Sequence, residues 1–216
     1  MIISVSKIVL DDIKVVFDDA VSKNDFSVKL KHFDTKVKKF DLENLTFDVP
    51  KIKIDGLKLQ LNQGIAEATT KSAEAIKEEI DNRPLRISNK QTTLTDIDIM
   101  YKQENSKFDT QFKLKDLKVA FQDIDLVQQK IKIENLAINE TSGSIFLGKL
   151  EPQNSANQTT ENSNSAPWEI EAENIKLTKI DFKFDDDNRK ANSKGIDYSH
   201  LDLTNFNLDA THIKYT

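Results

Sequence analysis

Leu10-Asp-Asp-Ile13-Lys-Val15-Val-Phe17 decides the fold, because the chain uses this phrase three times. The phrase returns as Leu94-Thr-Asp-Ile97-Asp-Ile99-Met-Tyr101 and as Leu177-Thr-Lys-Ile180-Asp-Phe182-Lys-Phe184, starting 84 and then 83 residues further on. A fixed period of this kind indicates one structural unit that is repeated. Apolar and polar residues alternate inside each copy, which predicts strands with one dry face and one solvated face.

Two further phrases extend the repeat. The second reads Leu30-Lys-His-Phe33, Leu114-Lys-Asp-Leu117 and Leu203-Thr-Asn-Phe206. The third, Lys51-Ile-Lys-Ile-Asp-Gly-Leu-Lys-Leu59, matches Lys130-Ile-Lys-Ile-Glu-Asn-Leu-Ala-Ile138. The sequence stops before a further copy of the third phrase, so we expect it to be cut from a longer chain. We predict β repeat units at 1–63, 85–150 and 168–216, the last of them truncated.

Two segments interrupt these units. Residues 64–84 form a predicted helical insert, in which Ala66, Ala68 and Ala73 favour a helix of about residues 65–81 and Pro84 ends it. Residues 151–167 are rich in Asn, Ser, Gln and Thr and predict a flexible polar loop.

Three-residue steps between apolar residues recur in the alternation. They run from Leu10 to Ile13, Leu42 to Leu45, Ile54 to Leu57, Leu94 to Ile97, Leu114 to Leu117, Ile133 to Leu136, Leu177 to Ile180 and Leu203 to Phe206. Such a step would send the next apolar side chain to the wrong face unless a bulge or a two-residue turn intervenes. Asp55-Gly56 suits a hairpin turn well, but we favour bulges or bends at most of the sites. Bends at matching heights would curl a sheet.

Composition excludes several classes of function. The net charge of −5 argues against nucleic acid as the partner, since such binding needs a basic surface. The chain has no cysteine, so disulfides, thiolate catalysis and cysteine-ligated zinc are excluded.

No constellation of residues suggests catalysis, a cofactor or a metal, and we therefore expect no enzymatic activity. The Asp185-Asp-Asp187 cluster could hold calcium, but a solvated hairpin turn explains it better. His32, His200 and His212 stand in different strand-like segments and could meet on a metal only if three units folded back together.

What remains is a large apolar surface on one side of the predicted sheet. Most alternating sheets close such a surface as the core of a sandwich or barrel. Near-identical units with five glycines and four prolines are less typical of those folds and raise an open groove filled by a ligand as the alternative, although a closed core is the more common outcome. Both interpretations stay open on the residues alone.

A resemblance to a known family follows from the repeated phrases. Trp168-Glu-Ile-Glu, the copy at Leu177 and Gly195-Ile-Asp-Tyr-Ser-His-Leu-Asp-Leu-Thr-Asn-Phe-Asn-Leu-Asp209 are similar to repeats of the TamB proteins. These are translocation and assembly module subunits of the AsmA-like superfamily in Gram-negative bacteria. The resemblance implies an all-β fold: an elongated, mainly antiparallel twisted sheet that curls into a taco-like apolar groove.

The resemblance also implies a function and a location. Such proteins span the periplasm from an inner-membrane anchor, meet an outer-membrane barrel of the TamA type and are implicated in phospholipid transport and outer-membrane biogenesis. This chain carries neither an anchor nor a recognisable C-terminal domain, so we expect a middle segment whose partners there bind outside it. We also expect the isolated chain to form a homodimer that hides its groove or its sheet edges.

The leading hypothesis is a conduit whose groove binds phospholipid or another acyl-chain lipid. The predicted lining residues are Ile13, Val15, Phe17, Leu30, Phe33, Leu45, Phe47, Ile97, Ile99, Phe112, Leu114, Leu117, Ile180, Phe182, Leu203 and Phe206. An alternative is a scaffold for outer-membrane protein assembly that accepts a client strand at its sheet edge. A third hypothesis is a structural spacer whose apolar face is shut by the predicted helix.

Overall fold

The structure is a computed structural model that describes residues 6–21, 23–64, 84–150 and 168–216. The predicted helix of about residues 65–81 and the predicted polar loop at 151–167 lie outside the described residues. Within the described residues every regular element is a strand.

Eight long strands and three short ones make up the fold. The long strands are β1 (Lys7–Asp19), β2 (Asn24–Lys36), β5 (Lys51–Gln63), β7 (Gln91–Gln103), β8 (Phe108–Asp125), β9 (Lys130–Leu147), β10 (Glu169–Asp186) and β11 (His200–Tyr215). The short strands are β3 (Lys39–Asp41), β4 (Thr46–Asp48) and β6 (Arg86–Ser88).

The long strands form one open sheet in the order β1-β2-β5-β7-β8-β9-β10-β11, and the short strands form a second sheet in the order β3-β4-β6. Antiparallel pairing joins β1-β2-β5, β7-β8-β9 and β10-β11, whereas β5 and β7, and likewise β9 and β10, run parallel. The expectation of an all-β, elongated and mainly antiparallel sheet is therefore confirmed for the described residues. The sheet is not strongly curled.

The three copies of the first phrase lie at one height of the long sheet. A continuous register connects Leu10, Leu94 and Leu177, which are in β1, β7 and β10, through the strands between them. The third phrase behaves differently. Ile54 of β5 shares this height with Ile138 of β9 and not with Ile133, its match in the sequence. The third phrase is thus displaced along β9 although its residues look alike.

A second row, two residues along each strand from the Leu10 row, carries the bends, and we call it the bend row. Its members are Asp12, Lys31, Gly56, Asp96, Lys115, Glu140, Lys179 and, after a register shift, Asn205. Six of these residues have positive φ angles, between 51° and 68°, inside otherwise continuous strands: Asp12, Gly56, Asp96, Glu140, Lys179 and Asn205. The predicted bulges or bends therefore do occur at matching heights.

Two details of the sequence interpretation are wrong. Gly56 does not form a hairpin turn, because β5 continues through it. The strong curl expected from aligned bends does not appear either, since an irregular residue changes the direction of its strand only locally. The step from Leu42 to Leu45, by contrast, is a turn between β3 and β4. There the Asp41 carboxylate accepts hydrogen bonds from Asn44, which lower the pKa of Asp41 to about 2.

The buried core is small for so long a sheet. Among the described residues the buried apolar side chains are Val37, Ile97, Leu114, Val119 and Ala172. Leu114 is 2% exposed and Ile97 is 4% exposed, and the two pair across β7 and β8 in the middle of the sheet. The sheet is therefore held mainly by its ladders and by a short central strip of apolar packing.

Candidate apolar binding face

One face of the long sheet is apolar along its whole width, and we call it the apolar face. The register places Val15, Val28, Leu59, Ile99, Phe112, Gly143, Phe182 and Leu203 in one row across the eight strands. Residues paired across strands point to the same face, so these side chains form a stripe that is interrupted only at Gly143, which the rings of Phe112 and Phe182 flank. Two residues along each strand, a further row runs from Phe17 through Phe26, Leu61, Tyr101, Thr110, Ile145 and Phe184 to Leu201.

The opposite face is polar. The row next to Val15 consists of Val16, Ser27, Gln60, Met100, Gln111, Ser144, Lys183 and Asp202. Each bend keeps the apolar residues on one side, because both residues inside a three-residue step then face the polar side. Leu114 and Leu117 are an example, with Lys115 and Asp116 between them. The three-residue steps therefore keep apolar side chains on one face and polar side chains on the other.

Fourteen of the sixteen predicted lining residues lie on the apolar face. They are Ile13, Val15, Phe17, Leu30, Phe33, Ile97, Ile99, Phe112, Leu114, Leu117, Ile180, Phe182, Leu203 and Phe206. The other two are not brought together with them. Phe47 belongs to β4 of the small sheet, where its ring packs 5.1 Å from that of Phe40, and Leu45 is in the preceding turn.

The apolar face is most exposed on the edge strand β1 and is half-buried over most of its width. Val15 and Phe17 on β1 are 44% and 48% exposed, and Phe112 near the centre is 37% exposed. An uncovered stripe of large apolar side chains is unusual on a soluble surface and marks an interaction site. The face therefore offers a contact surface for hydrocarbon, whereas the strip around Leu114 serves the stability of the sheet.

We compared the chain with protein families, curated proteins and solved structures. No family model, curated protein or solved structure matches the chain. Register, exposure and charge are therefore the features that mark this face as a binding surface, and the similarity to TamB repeats stays a prediction from the sequence.

Alternating charges follow the bend row on the polar face. Lys31 contacts Asp55 at 3.0 Å, Lys115 contacts Asp96 at 2.7 Å, and Lys179 contacts Glu140 at 2.9 Å. The hydrogen bond from Lys179 lowers the pKa of Glu140, and the hydrogen bond to Asp96 raises the pKa of Lys115. Exposed pairs of this kind stabilise a fold only weakly, because water and salt screen the charges. Their main effect is to keep the bend row solvated on one side.

A cavity of about 970 Å³ lies at one end of the apolar face. Tyr101, Phe108 and Leu147 contribute apolar lining, and Arg189 and Lys190 lie in the segment between β10 and β11. This segment is tied to the sheet, since the Asp187 amide donates to the Leu147 carbonyl at 2.9 Å. The cavity thus combines an apolar floor with a charged rim, in which Arg189 lies 3.5 Å from the Asp186 carboxylate and Lys190 adds a second cation.

Sequence reasoning missed the basic side chains of this cavity. The polar run after Phe184 predicts a turn, but nothing in its residues indicates that the turn packs beside the apolar face. His200 and the Asp185-Asp-Asp187 cluster, which the sequence does not favour as metal sites, make local contacts, with His200 Nδ1 2.9 Å from Asp185 and its Nε2 3.2 Å from the Arg189 carbonyl. The part of the chain that the structure describes contains no cluster of three metal-ligating side chains.

Membrane insertion has no helical candidate in the described ranges. No helix there is long and apolar enough to cross a bilayer.

Proposed function

We propose that the chain is a segment of a non-enzymatic lipid-transfer conduit, in which acyl chains of phospholipids lie along the apolar face. The observation that carries the proposal is the exposed apolar stripe that keeps its register across all eight long strands. The resemblance to TamB repeats supports a periplasmic location, between an inner-membrane anchor and a TamA-type barrel that both contact other parts of the parent protein.

The apolar stripe has the size and chemistry for hydrocarbon. Eight neighbouring strands at about 4.8 Å spacing give a stripe of roughly 34 Å, enough to follow a whole acyl chain. Each methylene that leaves water contributes about 0.8 kcal/mol, so a chain of about 16 carbons gains on the order of 10 kcal/mol before ordering costs. Binding of this kind needs no catalytic group and no energy source within the segment.

The bend row supports the trough shape that the proposal includes. Positive-φ residues in six of the eight long strands form a line across the sheet along which those strands can tilt towards the apolar side. The taco-like groove is then the lipid-bound form of a sheet that is only shallowly bent without lipid.

The cavity at the end of the face suits the polar end of an amphiphile. Arg189 and Lys190 are near enough to the apolar floor for an acyl chain on Phe108 to place an anionic head group beside them. The head group would stay hydrated there while the chain is shielded from water.

Native mass spectrometry of protein purified without detergent tests the proposal. We expect masses that correspond to bound phospholipid. Phe112→Asp should reduce lipid occupancy, because a carboxylate then stands in the middle of the stripe. The matched control is Gln111→Asp, which adds the same charge on the polar face one residue away and should leave occupancy unchanged. Absence of bound lipid after incubation with phospholipid vesicles, or equal loss in both variants, would refute the proposal.

A further inference from the structure

The outer edge of β1 is an exposed strand edge with an unusual surface. No described strand pairs with it, because β1 ends the sheet order. Six large apolar side chains of β1 are exposed, on both faces of the sheet: Val9, Leu10, Ile13, Val15, Val16 and Phe17. Natural sheets usually protect such edges with charges, prolines or short strands, because unpaired N–H and C=O groups invite another strand.

The sheet itself contains two examples of what fits such an edge. β7 and β10 carry the same phrase as β1, and each has a parallel neighbour on the side that is free in β1. The neighbour of β7 is β5, with Ile54 opposite Leu94. The neighbour of β10 is β9, with Ile138 opposite Leu177.

We propose that the outer edge of β1 is an acceptor site for one extended peptide segment, which binds parallel to β1 and has the residue pattern of β5 or β9. The proposal goes beyond lipid binding and does not depend on it, since the contacts are main-chain hydrogen bonds of a sheet edge.

The register of the two internal junctions identifies the better ligand. If β1 is aligned on β7, a β5-type segment places Asp55 opposite Asp11 and Lys58 opposite Lys14. Like charges directly opposite each other destabilise a strand pair.

A β9-type segment avoids both of these conflicts and brings one like-charge pair of its own, Glu140 opposite Asp12. If β1 is aligned on β10, Asn139 lies opposite Asp11 and Ser142 lies opposite Lys14. The edge therefore selects an alternating segment that is uncharged at these two positions.

Disulfide crosslinking tests the site directly, because the chain has no cysteine of its own. The probe is a synthetic peptide of residues 130–147 with one cysteine, either Ala137→Cys or Ser144→Cys. The protein carries Val9→Cys or Val16→Cys. Parallel binding predicts that the Ala137→Cys peptide couples to Val9→Cys and that the Ser144→Cys peptide couples to Val16→Cys. The two crossed combinations should give much lower yields, and a scrambled peptide sets the background.

Charge reversal at one position provides a second readout. A fluorescent peptide of residues 51–63 should bind roughly threefold to tenfold more weakly than the peptide of residues 130–147, because it brings three like-charge pairs, at Lys7, Asp11 and Lys14, against one at Asp12. Lys14→Asp should reduce the difference in affinity between the two peptides, since Lys58 of the 51–63 peptide then lies opposite a carboxylate. Background yields in all four combinations, or higher yields in the crossed combinations, would overturn the proposal.

Discussion

Gly56→Ala probes the bend row with the smallest possible change. Gly56 has a φ of 68°, and an added Cβ would lie 2.8 Å from the Lys31 Cβ. A left-handed conformation costs an L-residue roughly 1–2 kcal/mol, and the close contact adds to that cost. Alanine also reduces the entropy of the unfolded chain, which recovers about 0.4–1 kcal/mol. We therefore expect the free energy of unfolding to fall by about 1–2 kcal/mol.

Gly143→Ala is the matched control, since Gly143 lies in the Val15 row, three residues along β9 from the bend row, and has no positive φ. Its added Cβ would be 3.4 Å from the nearest atoms of Phe112 and Phe182, which is ordinary contact. We expect Gly143→Ala to be neutral or to stabilise by about 0.4–1 kcal/mol.

Urea denaturation followed by far-ultraviolet circular dichroism measures the difference between the two variants. With a slope of about 2 kcal/mol/M, the two midpoints should lie about 1 M apart. Equal midpoints would refute the assignment of Gly56 to a left-handed bend.

Three further predictions concern stability and titration. Leu114→Ala should lower the free energy of unfolding by about 2–5 kcal/mol in urea titrations, because it empties the most buried apolar position. Lys214 lowers the pKa of Glu169 to about 2 from an ordinary value of 4.5, so this carboxylate stabilises the fold above pH 4.5 and the contribution is lost as pH falls towards 2. Glu169→Gln should make the urea midpoint depend less on pH between pH 4.5 and pH 2. The hydrogen bond to Asp185 raises the pKa of His200 above 6.5, so its contribution is present below pH 6.5 and is lost as pH rises through the raised pKa; nuclear magnetic resonance titration should locate that pKa.

Each of these predictions has a clear contrary result. A stability change for Leu114→Ala no larger than that for the exposed Val16→Ala would contradict the central strip as the core. Glu169 of β10 contacts Lys130 of β9 at 2.9 Å and Lys214 of β11 at 2.8 Å. If Glu169→Gln leaves the pH dependence of stability unchanged, these contacts do not stabilise the fold. Asp185→Asn should return the pKa of His200 towards 6.5, and no change would contradict the contact.

Strand character and the sidedness of the sheet were predictable from the sequence. Alternation is a local property, and the steps such as Leu94 to Ile97 indicate by themselves that an irregular residue must intervene. The structure places that residue at Asp96, with a φ of 51°. In the long strands, the apolar residues on either side of each such step therefore lie on the predicted face.

The parallel junctions and the displaced third phrase were not predictable. Pairing between β5 and β7 depends on where the chain returns after residue 64, and alternation does not encode that path. The sequence match of Ile54 to Ile133 does not give the register of the sheet, because the pattern Lys-Ile-Lys-Ile is compatible with any position along an amphipathic strand. Phe47 was misplaced for the same reason, since its alternation is equally compatible with the small sheet.

The test closest to the central claim compares two neighbouring residues of β1. A photoreactive amino acid at Val15 faces the apolar side, and one at Val16 faces the polar side, although Val16 is more exposed, at 62% against 44%. After irradiation with phospholipid, the account predicts lipid adducts at position 15 and almost none at position 16. Adducts at both positions in proportion to exposure, or at neither, would contradict an apolar face that binds hydrocarbon.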